Sequence, residues 1–246
     1  MPTQPMLQAI NLTKRYDAHT LALDQVSFEI YPGEVFCLLG ANGAGKTTTI
    51  NLFLDFIPPT AGEARINGIN SHQNPLAAKR HVAYVSENVM LYGNFTARQN
   101  LDYFAKLGGK PRLTKEDYDR AMGEVGLSPK AFDRRVKEFS KGMRQKVGLA
   151  IARVKDSPAI LLDEPTSGLD PKAGAEFMEL LFRLKAAGKA ILMSTHDIFR
   201  SKEIADCVGI MNEGRMLMQR TREELAHEDL EKLYLSYMEG GALPVA

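Results

Sequence analysis

Long apolar runs are missing from this chain of 246 residues. None approaches the roughly 20 residues that a membrane-crossing helix requires, so any bilayer crossing would have to come from another polypeptide. The opening stretch, "MPTQPMLQAINLTKRY", has no apolar core of the signal-peptide kind, and a chain without secretory targeting is expected. Cysteine is scarce. Cys37 and Cys207 make no metal or redox spacing, sit among apolar residues, and read as buried thiols of a reducing compartment. An excess of one charge is missing too: the net charge of +1 gives no strong field for nucleic acid or an anionic surface. No repeat or low-complexity segment is visible. What is present, 44% hydrophobic and 25% charged residues, describes a globular chain long enough to bury a substantial core.

The hydrophobic pattern predicts the order of elements. "LQAINLTKRY" and "LDQVSFEI" alternate and carry β-branched and aromatic residues, as antiparallel strands do. "GEVFCLLG" and "AILLDEP" are short continuous apolar runs, the mark of strands buried on both faces of a parallel sheet. Between them, Ile50, Phe53, Leu54 and Ile57 repeat at helical spacing until Pro58 and Pro59. "HVAYVSE" and "KAILMSTH" read as further strands, "AEFMELLFRLKAAG" as a helix ending at Gly188, and "IMNEGRMLM" as a hairpin around Asn212–Gly214. From residue 89 to 155 the pattern is mostly helical. The expectation is one domain over 1–220, its parallel α/β core formed by 1–88 and 156–220 with a helical subdomain inserted at 89–155, and a helical tail over 221–246.

"GANGAGKT", Gly40–Thr47, completes the pattern G-x-x-x-x-G-K-[ST] between a buried strand and an amphipathic helix. Backbone amides of Gly40, Asn42, Gly43, Ala44 and Gly45, continued by Thr48, would wrap phosphates at a helix N-terminus, with Gly43 and Gly45 permitting the close approach. Lys46 would reach the β- and γ-phosphates, and the Thr47 hydroxyl would bind Mg²⁺. "ILLDEP" ends a strand in two acids. Adjacent strand residues face opposite sides, so Asp163 and Glu164 are expected to divide the work: Asp163 in the metal shell, Glu164 orienting or deprotonating a water. His196, at the end of "ILMST", would donate to the γ-phosphate, because ligands of open parallel sheets sit beyond the carboxyl ends of the strands. The catalytic candidates are therefore Lys46, Glu164 and His196, with ATP and Mg²⁺ as cofactors.

"EFSKGMRQKVG" has two readings. Ser140 is a good helix N-cap, and Met143, Val147, Ile151 and Val154 make a plausible buried stripe. The same turn also presents amides suited to phosphate. Tyr16, "GANGAGKT", "YVSE", "FSKGM", "ILLDEP", "SGLD" and "STH" occur here in one order, and in that order the chain resembles the ATP-binding-cassette (ABC) family, the nucleotide-binding subunits of ABC transporters, over almost its whole length.

The resemblance implies a P-loop NTPase (RecA-like) parallel-sheet core, an N-terminal antiparallel β subdomain and an inserted α-helical subdomain. It implies that Ser140 and Gly142 face the phosphate loop of a second subunit, so that two ATPs are clamped between two head-to-tail chains. Tyr16 would stack on adenine and Asp170 would contact the partner. Two positions depart from the family pattern. Lys141 and Met143 stand where Ser-Gly-Gly-Gln is general, and Glu87 stands where glutamine commonly meets Mg²⁺ and water. A carboxylate can also bind a hard cation, so Glu87 joins Thr47 and Asp163 as a metal candidate. Both departures resemble the branch serving ABC-2-type exporters. The implied partners are a second copy or a paralogous ATPase subunit and separate polytopic membrane subunits, with no nucleic acid, at the cytoplasmic face of the membrane. Val89, Met90, Leu91, Tyr92 and Phe95 would offer those membrane subunits an adaptable apolar groove. A soluble ABC ATPase acting on nucleic acid or ribosomes is the alternative; the single copy of each motif and the lack of inserted heptads or basic excess weigh against it.

Overall fold

The computed structural model describes residues 4–110 and 112–238. Among these residues the strands are β1 (Leu7–Arg15), β2 (Leu21–Ile30), β3 (Val35–Leu39), β4 (Ala61–Ile66), β5 (Ile69–Asn70), β6 (Val82–Val85), β7 (Ala159–Asp163), β8 (Ala190–Thr195), β9 (Cys207–Asn212) and β10 (Arg215–Thr221). The helices are α1 (Lys46–Phe53), α2 (Pro75–Lys79), α3 (Ala97–Leu107), α4 (Lys115–Glu124), α5 (Lys141–Lys155), α6 (Pro171–Ala186), α7 (Ile198–Ile204) and α8 (Leu230–Met238).

Two sheets result. One is antiparallel, in the order β2-β1-β4-β5, and the other runs β10-β9-β3-β8-β7-β6. In the second, β9, β3, β8, β7 and β6 are parallel and only the β9–β10 hairpin is antiparallel. Every residue of β3, β7 and β8 is buried, as unbroken apolar runs covered on both faces should be. Alternation along β3 sends Val35, Cys37 and Leu39 into the core under α3–α7, and Phe36 and Leu38 into a second core with α1 and the antiparallel sheet. Phe28 stacks on Phe36 at 4.8 Å between centroids and meets Phe53 of α1 at 5.9 Å, joining sheet, helix and antiparallel lobe.

α3, α4 and α5 lie between β6 and β7 in sequence. Each starts on a side-chain cap: Thr96 with Gln99 and Thr114 with Asp117 form reciprocal capping boxes, and the Ser140 hydroxyl accepts from the Met143 amide. Arg98 ties α3 to Asp119 of α4 and to Asp133.

Three expectations need adjusting. Cys37 is fully buried but Cys207, on the strand beside the β10 edge, is only half-buried; burial nonetheless pushes both thiols up to about 12, away from the thiolate form at neutral pH. The helix after Asp170 starts at Pro171, earlier than the apolar pattern indicates, because the Asp170 carboxylate caps it through the Ala173 amide at 2.9 Å. The tail is not helical from its start: α8 begins only at Leu230, where Asp229 accepts from the amides of Glu231 and Lys232. Part of the expected tail, residues 239–246, lies outside the described residues.

Candidate functional site

The strand order explains how motifs far apart in sequence meet. β3, β8, β7 and β6 are neighbours in that order, so their carboxyl ends deliver Gly40, His196, Asp163 with Glu164, and Glu87 to one rim of the sheet. After β3 the chain turns through Gly40–Gly45 into α1. Gly43 and Gly45 take φ of +85° and +105°, and a Cβ on Gly45 would lie 2.8 Å from the Ala22 carbonyl oxygen. Gly45 brings no side chain to cap α1, so the first-turn amides remain open to an anion. Asn42 and Gly43 are exposed, while Ala44, Gly45 and Lys46 are buried. Lys46 Nζ donates to the carbonyl oxygens of Gly40 at 2.6 Å and Ala41 at 3.2 Å. Its ammonium also lies 3.4 Å from Glu164 Oε1. That last contact is Coulombic, because the short bonds go to the loop carbonyls, and Glu164 Oε1 is buried without a hydrogen bond.

Alternation along β7 puts Asp163 on the α1 side with Ala159 and Leu161, where Thr47 Oγ1 donates to Asp163 Oδ1 at 3.1 Å. Ser194 Oγ on the intervening β8 donates to the same oxygen at 2.5 Å. Alternation alone would send Glu164 to the other face. Instead its backbone takes φ +45°, the strand ends, and Glu164 N donates to Ser194 O at 3.1 Å. A non-glycine residue in this region is strained. The result corrects the expected opposition: both carboxylates line one cleft with the phosphate loop, about 230 Å³ in volume. His196 Nδ1 lies 2.8 Å from Glu164 Oε2, with its ring 61% exposed. Lys46, Glu164 and His196 thus form one chain of contacts.

A triphosphate with Mg²⁺ fits these residues. Thr47 and Asp163 offer hard oxygen ligands within 3.1 Å of each other. Among the described residues no group of three or more His, Cys, Asp or Glu makes a metal cage. The remaining positions of a Mg²⁺ shell would therefore fall to phosphate oxygens and water, the usual arrangement for this ion. The orphaned Glu164 Oε1 needs a partner of its own, which a water or a protonated group in the cleft would supply.

Among the other expected residues, Tyr16, Ser140, Gly142 and Asp170 do not line the cleft, whereas Glu87 does. Tyr16 is 52% exposed beyond β1, with Lys14 Nζ 5.1 Å from its ring centroid. Ser140 and Asp170 are exposed, each capping a helix. Gly142 packs so close to the start of α6 that an added Cβ would stand 3.3 Å from Ala173 Cβ. Ser140, Gly142 and Asp170 therefore share one face, the joined N-termini of α5 and α6. Glu87 lines the cleft, but its Oε1 accepts from Lys141 Nζ at 3.2 Å and Ser167 Oγ at 3.1 Å. Lys141 first, then Ser167, hold its carboxyl below the usual range. Ser167, Ser194, Lys141 and Gln145 were not among the expected site residues. Only Lys141 gave a sequence signal, as a departure from the family pattern.

Comparison with known proteins agrees with this geometry. The ABC transporter family profile matches residues 23–167, more than half of the chain. The chain is 34% identical over 235 residues to the bacitracin transport ATP-binding protein BcrA of Bacillus licheniformis, covering 95% of this chain and 74% of that protein. It is 31% identical over 224 residues to the linearmycin resistance ATP-binding protein LnrL of Bacillus subtilis (strain 168), covering 89% and 70%. It also superposes with a TM-score of 0.80, at 25% identity and over 88% of this chain and 99% of the other, on an ATP-binding cassette solved as a dimer in a post-hydrolysis state with ADP and Pi. With the phosphate loop, the paired acids and the histidine brought to one sheet rim, these matches establish that the chain belongs to the ABC transporter family, as an ATP-binding and ATP-hydrolysing subunit.

Proposed function

We propose that the protein is the motor subunit of an ABC-2-type exporter, closing as a dimer over two Mg²⁺-ATP molecules and driving separate membrane subunits from the cytoplasmic face. The observation that carries this reading is the Lys46–Glu164–His196 chain beside the Thr47–Asp163 pair. In this reading Gly40, Asn42, Gly43, Ala44, Gly45 and Thr48 wrap the phosphates, Lys46 moves from the loop carbonyls to the β- and γ-phosphates, and Tyr16 stacks its open face on adenine. Thr47 and Asp163 hold Mg²⁺, which when bound withdraws charge from the phosphate oxygens. Glu164 positions the attacking water and accepts its proton, and His196 holds Glu164 while donating to the terminal phosphate. Glu87 adds a carboxylate beside the metal. Ser140, Gly142 and Asp170 serve the partner chain's nucleotide.

The joined N-termini of α5 and α6 support the dimer reading, since the partial positive charge of two helix starts is gathered on one exposed face and suits a phosphate supplied from outside. No helix among the described residues is long and apolar enough to cross a membrane, so the transport path would belong to other chains. Similarity to proteins named for bacitracin transport and linearmycin resistance, and the "SKGMRQ" form of the turn, favour export.

The docking surface for those chains is the aromatic group on α3 and the segment before it. Val89 and Leu91 turn inward against the core, whereas Met90, Tyr92 and Phe95 remain exposed. Tyr92 meets Tyr103 edge-on at 4.7 Å between centroids, and Phe95, Tyr103 and Leu107 line a shallow hollow. That is a narrower surface than the five residues expected. The test of the whole reading is Glu164→Gln: it binds ATP, stops turning over, and accumulates as a nucleotide-loaded dimer in size-exclusion with light scattering. Wild-type turnover, or a strictly monomeric ATP complex at high concentration, overturns it.

A further inference from the structure

Two departures from the family pattern, Glu87 and Lys141, are opposite charges 54 positions apart, and the fold brings them together. Lys141 is the first residue of α5, next to the cap Ser140. Its ammonium lies 3.2 Å from Glu87 Oε1, and the same oxygen accepts from Ser167 Oγ at 3.1 Å. A Cβ on Gly168 would stand 3.5 Å from Lys141 Nζ, so the lysine lies along the loop between β7 and α6. One turn further on, the fully buried Gln145 donates to the carbonyl oxygens of Ser86 at 3.1 Å and Glu87 at 2.9 Å. Gly148 is packed against Val85 of β6, closely enough that a Cβ would meet Val85 Cγ1 at 3.1 Å. The start of α5 therefore grips the end of β6 by its side chain, its backbone and its packing.

We propose that Lys141 is a positioning residue that neutralises Glu87 and holds its carboxylate on the Ser167 side of the cleft, so that the end of β6, the loop after β7 and the partner-facing turn respond to nucleotide as one unit. The cleft already has Asp163 and Glu164 as acids. A third carboxylate turned freely toward a triphosphate would repel it. Lys141 supplies the compensating charge and also fixes the direction of the carboxylate, and because it adjoins Ser140, displacement of Glu87 by an incoming nucleotide moves the turn offered to the partner chain. This inference rests on the proposed placement of Glu87 beside the metal in the nucleotide cleft and of Ser140 toward the partner.

The test uses the full-length chain and two readouts that need no turnover: affinity for a fluorescent ATP analogue with Mg²⁺, and ATP-dependent dimer formation. Lys141→Ala is expected to weaken ATP binding by about two- to fivefold, the scale of a half-exposed ion pair, and to reduce dimer formation. Adding Glu87→Gln to Lys141→Ala should restore both, because the stranded charge is removed. The loss in Lys141→Ala should shrink at high salt, as screening of an exposed charge requires. A Lys141→Ala chain that binds and dimerises like wild type overturns the inference, and so does a double variant no better than Lys141→Ala, which would mark Lys141 as a packing residue. Wild type and Lys46→Ala run alongside. If they bind ATP equally, the fault lies with the assignment of the nucleotide site itself.

Discussion

The rim of the six-stranded sheet and the helical block at residues 97–155 are held in different ways. At the rim, polar groups are fixed by bonds between distant residues: Ser194 to Asp163 at 2.5 Å, Thr47 to Asp163 at 3.1 Å, Glu164 N to Ser194 O at 3.1 Å. In the block, each helix is fixed by its own first turn, Thr96 with Gln99, Thr114 with Asp117, and Ser140 with Met143. A network that joins two strands and a helix breaks if any of them moves. A cap that belongs to one helix travels with it. The rim thus keeps its atoms in register across elements, while the starts of α3, α4 and α5 are fixed locally and α5 is tied in addition to the end of β6.

The contrast can be broken or sharpened by substitution. The largest effect is expected at the rim: Glu164→Gln should lower steady-state ATP turnover by about 10²–10⁴-fold, the worth of a positioned base, with little change in ATP affinity by equilibrium titration. Next is the core under the loop. Phe53, on α1, is fully buried against Phe28, and Phe53→Ala should cost about 3–5 kcal/mol in denaturant unfolding. Thr96→Ala removes a capping box from the block and should cost about 0.5–2 kcal/mol, with hydrogen exchange rising at the start of α3 and not at the rim. Phe95→Ala, on the exposed aromatic face, should leave stability within about 0.5 kcal/mol and turnover of the isolated subunit unchanged. The same variant should lose co-purification with membrane subunits. If Phe95→Ala instead unfolds the chain, the face belongs to the core and the contrast fails.

The smallest effect concerns acid. Lys106 holds the Asp102 carboxyl, the Thr114 amide that of Asp117, and Arg98 that of Asp133, below their ordinary values. A depressed carboxylate stabilises the fold fully above its unfolded value of about 3.9, and that contribution is lost as pH falls through the folded values. Protection factors in α3 and α4, exchange corrected for its intrinsic rate at each pH, should therefore fall below about pH 4 relative to neutral. Unchanged protection factors there would show that these carboxylate contacts carry no stability.

The sequence made the rim largely legible because its residues announce themselves locally. Gly40–Thr47 is a contiguous pattern, and Asp163, Glu164 and His196 each stand at the end of an apolar run. The strand alternation used for Asp163 held for that residue, but failed one position later, since a φ of +45° at Glu164 leaves no trace in residue spacing. Ser194 and Ser167 were invisible for a related reason. A serine in or after a strand is an ordinary residue until the fold places it against a carboxylate 31 or 80 positions away. The aromatic segment is less legible, because Val89, Met90, Leu91 and Tyr92 are all hydrophobic and only packing decides which of them face inward.

One turn outside both regions has a wider consequence. Gly214, between β9 and β10, donates its amide to the Ala44 carbonyl at 3.1 Å, and its own carbonyl accepts from the Asp24 amide at 2.9 Å. A Cβ there would lie 2.8 Å from the Ala22 carbonyl oxygen, so no bulkier residue fits without moving the neighbouring strand. The turn acts as a rivet through the phosphate loop and the antiparallel lobe. A displacement of the lobe would therefore reach the phosphate loop through two backbone hydrogen bonds and one glycine.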